Sequence, residues 1–355
     1  MDRSSSTLSK YSKNRWKLIL GAVFLLALGI ALGAYFGIRY SNKNTQNAIA
    51  KAVRSIIPVR ENNSDYHYIK PLLTYDFSNV KNFTENQLLN TQLTAYIQDQ
   101  IKQGNATDIS MYSRDLATGS WVSVSENQTY HPASMLKVVI MAAYFKEAEE
   151  DATLLQKQLL YTAAIDKQQS TDIDFDQPTN MVVGKSYDVE HLIENMIINS
   201  DNGAETLLYD NIDQNSLNNI YTDLGLPSPE NQTDYTISAK QYALLLRAIY
   251  NGTYLSQQYS EKALSIMSQS TYKNGIIAGL PSGVVAAQKY GEHVNGIPGN
   301  VQSVELHNCG IVYGKDAYTI CVMTKGQSLD KLANIIKNIS QMTYNLIASN
   351  DSAYK

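Results

Sequence analysis

The sequence predicts an α+β fold of three layers (α/β/α-like), an antiparallel sheet with flanking terminal helices and an all-helical insertion. Three observations predict it. Two strand-like stretches, 108–127 and 303–326, stand far apart in the chain. Stretches of helical apolar period, 87–103 and 329–348, lie outside them at either end. Between them, residues 134 to about 277 are mostly of helical period.

The first 80 residues read as separate from the rest. Residues 1–17 carry Arg3, Lys10, Lys13, Arg15 and Lys17 against Asp2, a net +4. The whole 355-residue chain is at −4, which leaves −8 for the remainder. A mildly acidic body gives no electrostatic footprint for nucleic acid. LILGAVFLLALGIALGAYFGI, residues 18–38, is 21 residues without a charge. About 20 apolar residues span a bilayer core. Trp16 and Tyr40 flank it as interfacial anchors. The basic tail 1–17 is therefore expected in the cytoplasm, 18–38 as a single-pass anchor in the plasma membrane, and the rest outside. The alternative is a cleaved signal peptide ending at Ala31-Leu32-Gly33, but the apolar stretch is longer than a usual signal core. Residues 39–80 are polar and Asn-rich and read as an extracytoplasmic stalk. The main domain is placed at 81–350.

Within that domain, QLLNTQLTAYIQDQIKQ, 87–103, has helical spacing. DISMYSRDLATGSWVSVSEN, 108–127, reads as two strands around an ATGS turn. SVELHNCGIVYGKDAYTICVMTKG, 303–326, reads as a hairpin turning near Gly314 and Lys315. LDKLANIIKNISQMTYNLIA, 329–348, closes the domain as an amphipathic helix.

The chemistry begins in HPASMLKVVIMAAYFKEAEE, 131–150. Ser134 and Lys137 are three apart, so on a helix they share a face. A serine hydroxyl is a poor nucleophile until a neighbour takes its proton. A lysine can do so where burial or nearby cations lower its pKa. Taken alone, the pair reads as well as a serine N-cap before an apolar helix. Two further motifs change the reading. INSDNGAETLL, 198–208, holds Ser200-Asp201-Asn202 after an amphipathic stretch, and VAAQKYGEH, 285–293, holds Lys289 and Gly291 in a strand-like run.

In the order Ser-x-x-Lys, Ser-Asp-Asn, Lys-x-Gly, these motifs resemble the active-site serine family of penicillin-recognising enzymes: the class A β-lactamases and their relatives among penicillin-binding proteins. The likeness extends to the helix before the second motif and to the last two strands, and covers roughly residues 70–350. It implies a β-lactamase/transpeptidase-like fold and a role for each position. Ser134 is the acylated nucleophile. Lys137 takes or relays its proton. Ser200 passes a proton to the leaving nitrogen, and Lys289 tunes Ser200 and attracts the substrate carboxylate. Asn202 hydrogen-bonds the substrate amide. Tyr290, Gly291 and Glu292 line the substrate side, with the backbone N–H groups of Ser134 and Glu292 as the oxyanion hole.

The pattern departs from the family twice. Tyr290 stands where the family has a small hydroxyl residue; it either points away from the cleft or narrows it. Class A β-lactamases also carry a long loop whose Glu activates the deacylating water. Here the corresponding connection is only GLPSPENQTDY, where Glu230 is the candidate deacylation base, and a solvated loop charge is the plainer account of it.

The two cysteines, Cys309 and Cys321, fall opposite each other if the last hairpin has a three-residue loop. A disulfide and a buried pair of free thiols both remain open. The five histidines show no metal spacing, and no cofactor is called for. His131 and His307 lie near the cleft or serve as packing. The resemblance thus implies an acyl-enzyme with D-Ala-D-Ala-type peptides of peptidoglycan stems, or with β-lactams, in a D,D-carboxypeptidase-like role. The alternatives are a true β-lactamase and a non-catalytic wall- or protein-binding domain.

Overall fold

The computed structural model describes residues 29, 57–61, 65–76, 86–169, 179–229, 234–297 and 300–349. The basic tail, nearly all of 18–38, and Glu230 lie outside them. Among the described residues no helix is long and apolar enough to cross a membrane. One compact unit comprises Ile56–Asn79 and Phe83–Lys355.

Its centre is a five-stranded antiparallel sheet. The strands are β3 (Asp108–Asp115), β4 (Trp121–Val124), β9 (Val285–Ile297), β10 (Asn300–Tyr313) and β11 (Ala317–Gly326), in the order β4-β3-β11-β10-β9. β3 and β4 come from one end of the domain and β9 to β11 from the other, so the sheet closes only when distant parts of the chain meet. Side chains alternate between faces with period two. Ile320 and Val322 join one apolar cluster, while Cys321 and Met323 join the other.

The first cluster lies under the terminal helices α1 (Gln87–Lys102) and α9 (Leu329–Ser349). Leu89, Leu93 and Ile97 project from α1, and Leu332, Ile335, Ile336 and Ile339 from α9, at the i, i+3, i+4 spacing of one helix face. The opposite face carries the insertion. Its central helix, α2 (Lys137–Ala148), is buried on nearly every side, which is why its sequence is apolar all round. Around it lie α3 (Ala163–Gln169), α4 (Val189–Ile198), α5 (Asn202–Tyr209), α6 (Gln214–Asp223), α7 (Ala239–Tyr250) and α8 (Gln257–Ser268). Short two-stranded ladders interrupt the insertion, pairing β5 (Thr129–Tyr130) with β8 (Ile237–Ser238) and β6 (Gln158–Leu160) with β7 (Ser186–Asp188).

The compact unit starts earlier than residue 81. Strands β1 (Ile57–Arg60) and β2 (Leu72–Asp76) form a hairpin inside the segment expected as stalk. Ile69 is buried in the core. The Glu261 carboxylate accepts the backbone N–H groups of His67, Tyr68 and Ile69 at 2.7–2.9 Å. Arg60 donates to Leu116 O and Asn251 Oδ1. Such polar docking leaves no apolar periodicity to read. In the last hairpin Cys309 faces Cys321, and the two are joined as a disulfide.

Candidate active site

Ser134 does not cap a helix. It lies in a short 3-10 turn, Ala133–Leu136, that runs into α2 at Lys137, and neither segment has a side-chain cap. In a 3-10 turn residues i and i+3 eclipse. Lys137 Nζ accordingly sits 2.9 Å from Ser134 Oγ. The turn is entered through Ala133 at φ 49°, a left-handed conformation that an L-residue keeps only where its surroundings hold it.

Those surroundings come from β10. The Glu305 carboxylate accepts the backbone N–H of His131 at 3.2 Å, and the ring nitrogen Nε2 of His307 meets His131 O at 3.0 Å. Since His307 Nδ1 accepts the N–H of Thr324, Nε2 carries the proton and donates. Both backbone polar groups of His131, three residues before the nucleophile, are thus clamped by buried side chains. Burial pushes the Glu305 carboxyl up, but bonds from His307, Lys325 and Asn295 outweigh it and hold it lowered to about 2.

The second motif is fixed by its middle residue. Asp201, 1% exposed, caps α5 by accepting from Ala204 N, and also takes Thr179 Oγ1 and Asn180 N, all at 2.8–2.9 Å. A Cβ on Gly203 would come to 2.7 Å from Thr179 Oγ1 and 2.8 Å from the Tyr161 hydroxyl, so these side chains pack directly against the glycine beside this cap. Ser200, just before it, adopts φ 60°. That kink brings Ser200 O and Asn202 Oδ1 each to 2.6 Å from Lys137 Nζ, and Ser200 Oγ to 3.3 Å.

The third motif closes the ring. Lys289, buried on β9, donates to Ser200 Oγ at 2.8 Å and to Tyr290 O at 3.0 Å. Burial and the neighbouring Lys137 drive Lys289 well below the usual lysine range, with Glu205 and Glu292 opposing. A Cβ on Gly291 would lie 2.6 Å from Pro132 O and 3.2 Å from Met135 N, so the strand backbone rests against the turn that carries Ser134. Glu292, the next residue, follows on this edge strand. Tyr290 turns toward the second motif: its side chain hydrogen-bonds Ser200, its ring stacks on Tyr272 at 4.0 Å, and Lys289 Nζ sits 4.4 Å from its centroid.

The structure therefore brings Ser134, Lys137, Ser200, Asn202, Lys289, Tyr290 and Gly291 to one place, while Glu230 lies outside the described residues. It adds groups that the motifs did not announce. Glu205 Oε2 lies 3.2 Å from Lys137 Nζ. Its spacing of three from Asn202 on α5 was the available signal. Tyr272 sits in an irregular connection with no periodicity, and the Glu305 carboxylate acts on backbone, so neither left a trace in the pattern.

The profile of the beta-lactamase enzyme family matches residues 92–347. A protein named beta-lactamase from Streptomyces lavendulae is 30% identical over 112 residues, 30% of this chain. That match spans 35% of its length. Among solved structures, PBP-A superposes with a TM-score of 0.63 at 23% identity, over 75% of this chain and 97% of that one. The TLA-3 extended-spectrum beta-lactamase superposes at 0.62 and 17%, over 73% and 99%. At such identities these two likenesses speak for the fold.

Proposed function

The chain belongs to the beta-lactamase enzyme family, and from that premise we propose that it is an active-site serine hydrolase acylated at Ser134 by β-lactams or D-Ala-D-Ala-type peptides, in a D,D-carboxypeptidase-like role. One observation carries the reading. Lys137 Nζ touches both Ser134 Oγ, at 2.9 Å, and Ser200 Oγ, at 3.3 Å, so a single nitrogen links the attacking oxygen to a second hydroxyl.

The steps follow from those contacts. Lys137 takes the Ser134 proton as Oγ attacks the carbonyl carbon. The proton then moves through Ser200 to the leaving nitrogen. Backbone N–H groups of Ser134 and Glu292 receive the oxyanion. Lys289, lowered by burial in the resting site, regains charge when a substrate carboxylate arrives beside it. Asn202 orients the substrate amide. In support, a mutant of PBP-A at 22% identity is described as an acyl-enzyme complex with penicillin G. Hydrolysis of β-lactams is the second reading, favoured by the name of the Streptomyces lavendulae relative.

We also place this domain outside the plasma membrane, tethered by 18–38. The uncharged 21-residue segment after a basic tail supports that address, as does a disulfide, which persists in oxidising compartments.

Intact mass after incubation with a fluorescent penicillin tests the function, with Ser134→Ala as control. A lasting adduct absent from the control supports the peptidase-like reading. Adduct turnover with loss of drug favours hydrolysis of β-lactams. No adduct would overturn both and leave a binding domain.

A further inference from the structure

The inference deepens that reading, on which it rests, and concerns what frees the base. A lysine nitrogen has three directions besides its bond to carbon, so its ammonium donates at most three hydrogen bonds. Five oxygens lie within 3.3 Å of Lys137 Nζ: Ser200 O and Asn202 Oδ1 at 2.6 Å, Ser134 Oγ at 2.9 Å, Glu205 Oε2 at 3.2 Å and Ser200 Oγ at 3.3 Å. The two shortest contacts are to carbonyl oxygens, which can only receive protons. They occupy two directions. The third holds either a proton or a lone pair, and only the lone pair can deprotonate Ser134.

We propose that Glu205, on the first turn of α5, takes this third proton and so leaves Lys137 as the amine that activates Ser134. Carboxylate and ammonium become carboxylic acid and amine, with no change in total charge. The Ser134 O–H bond then breaks toward Lys137 Nζ. Oγ bonds to the carbonyl carbon, and the π pair moves onto the carbonyl oxygen. The proton gained by Lys137 passes through Ser200 Oγ to the leaving nitrogen as the C–N bond breaks.

Several features fit. Asn202 and Glu205 are three apart on α5 and share the face turned to Lys137. The Lys137 side chain is fully buried while that of Glu205 is 29% exposed, so the acid can exchange its proton with solvent between turnovers. The charged groups facing this nitrogen are Glu205 from α5 and Lys289 from β9, with Glu292 beyond Lys289 on the same strand. Glu205 acts through Lys137 and is a positioning residue.

The test follows penicillin adduct formation on the full-length wild type, Glu205→Gln and Glu205→Asp across a pH series. The glutamine variant should lose about 10²-fold in the limiting acylation rate at every pH. Its half-saturating concentration and melting temperature should stay at wild-type values, and the aspartate variant should recover part of the rate. A glutamine variant that reacts at the wild-type rate, or faster at low pH, overturns the proposal, because Glu205 then merely stabilises the ammonium. A slower rate with a fallen melting temperature and no recovery by aspartate also overturns it. A wild type that forms no adduct removes the reading of Ser134 and this proposal together, whereas the other failures leave wild-type labelling intact.

Discussion

Tyr290 lies flat against Tyr272, with ring centroids 4.0 Å apart and planes 13° from parallel. The stack keeps a bulky ring at the cleft where the resembled family has a small hydroxyl. Stacked rings contribute about 0.5–1.5 kcal/mol beyond the area they bury. Tyr290→Thr is expected to melt lower, since the stack is lost. It should also form the penicillin adduct about tenfold faster at low drug concentration, the worth of one hydrogen bond to a charged group. Slower labelling by that variant would show that the ring itself contacts substrate.

Gly291 is needed because backbone occupies the space of its Cβ: Pro132 O lies 2.6 Å away, with Met135 Cγ at 3.1 Å and Met135 N at 3.2 Å. An added methyl must push the turn carrying Ser134. A displacement near 1 Å costs about 10²-fold in rate. Gly291→Ala should therefore lose acylation by about that factor, measured by intact mass. An unchanged rate would mean that turn and strand are not rigidly coupled.

Glu305 makes stability depend on acid. Its folded-state pKa of about 2 lies below the unfolded 4.5, so its contribution is complete above 4.5 and disappears as pH falls through about 2. The shift corresponds to about 3 kcal/mol. Glu305→Gln should be less stable by roughly that amount near neutrality, in guanidinium titrations. The gap should close toward about pH 2. A gap that persists at low pH would assign the loss to packing instead.

The Cys309–Cys321 disulfide closes a loop of sequence separation 12 on the strand next to Lys289, whose register partner is Cys309. A loop of this length restricts the unfolded chain by about 3 kcal/mol. The double change Cys309→Ser, Cys321→Ser should cost about that in denaturant titration. It should label with penicillin at the wild-type rate, because the strands are already paired along β10 and β11. Lost labelling with intact folding would make the bond part of the site.

Much of the architecture was legible. Period-two patterns marked β3, β4, β10 and β11, and the three-residue turn put Cys309 opposite Cys321, as the register has it. Helical spacing marked α1 and α9 nearly to the residue. Three short motifs named most of the polar groups now found around Lys137. The early hairpin was hidden because its anchors, Arg60 and Glu261, act through single polar contacts without a period.

Sequence by itself determined which faces are apolar, which segments are helix or strand, and which polar residues stand in the order of a known chemistry. These are local properties, set by spacing along the chain. Only the tertiary structure decided that Ser134 sits in a 3-10 turn clamped by Glu305 and His307. It alone put Glu205 on Lys137, and turned Tyr290 inward onto Tyr272. Those relations join residues far apart in the chain, at ångström distances fixed by how helices and sheet pack. A spacing pattern determines the face on which a side chain lies, but not what packs against that face.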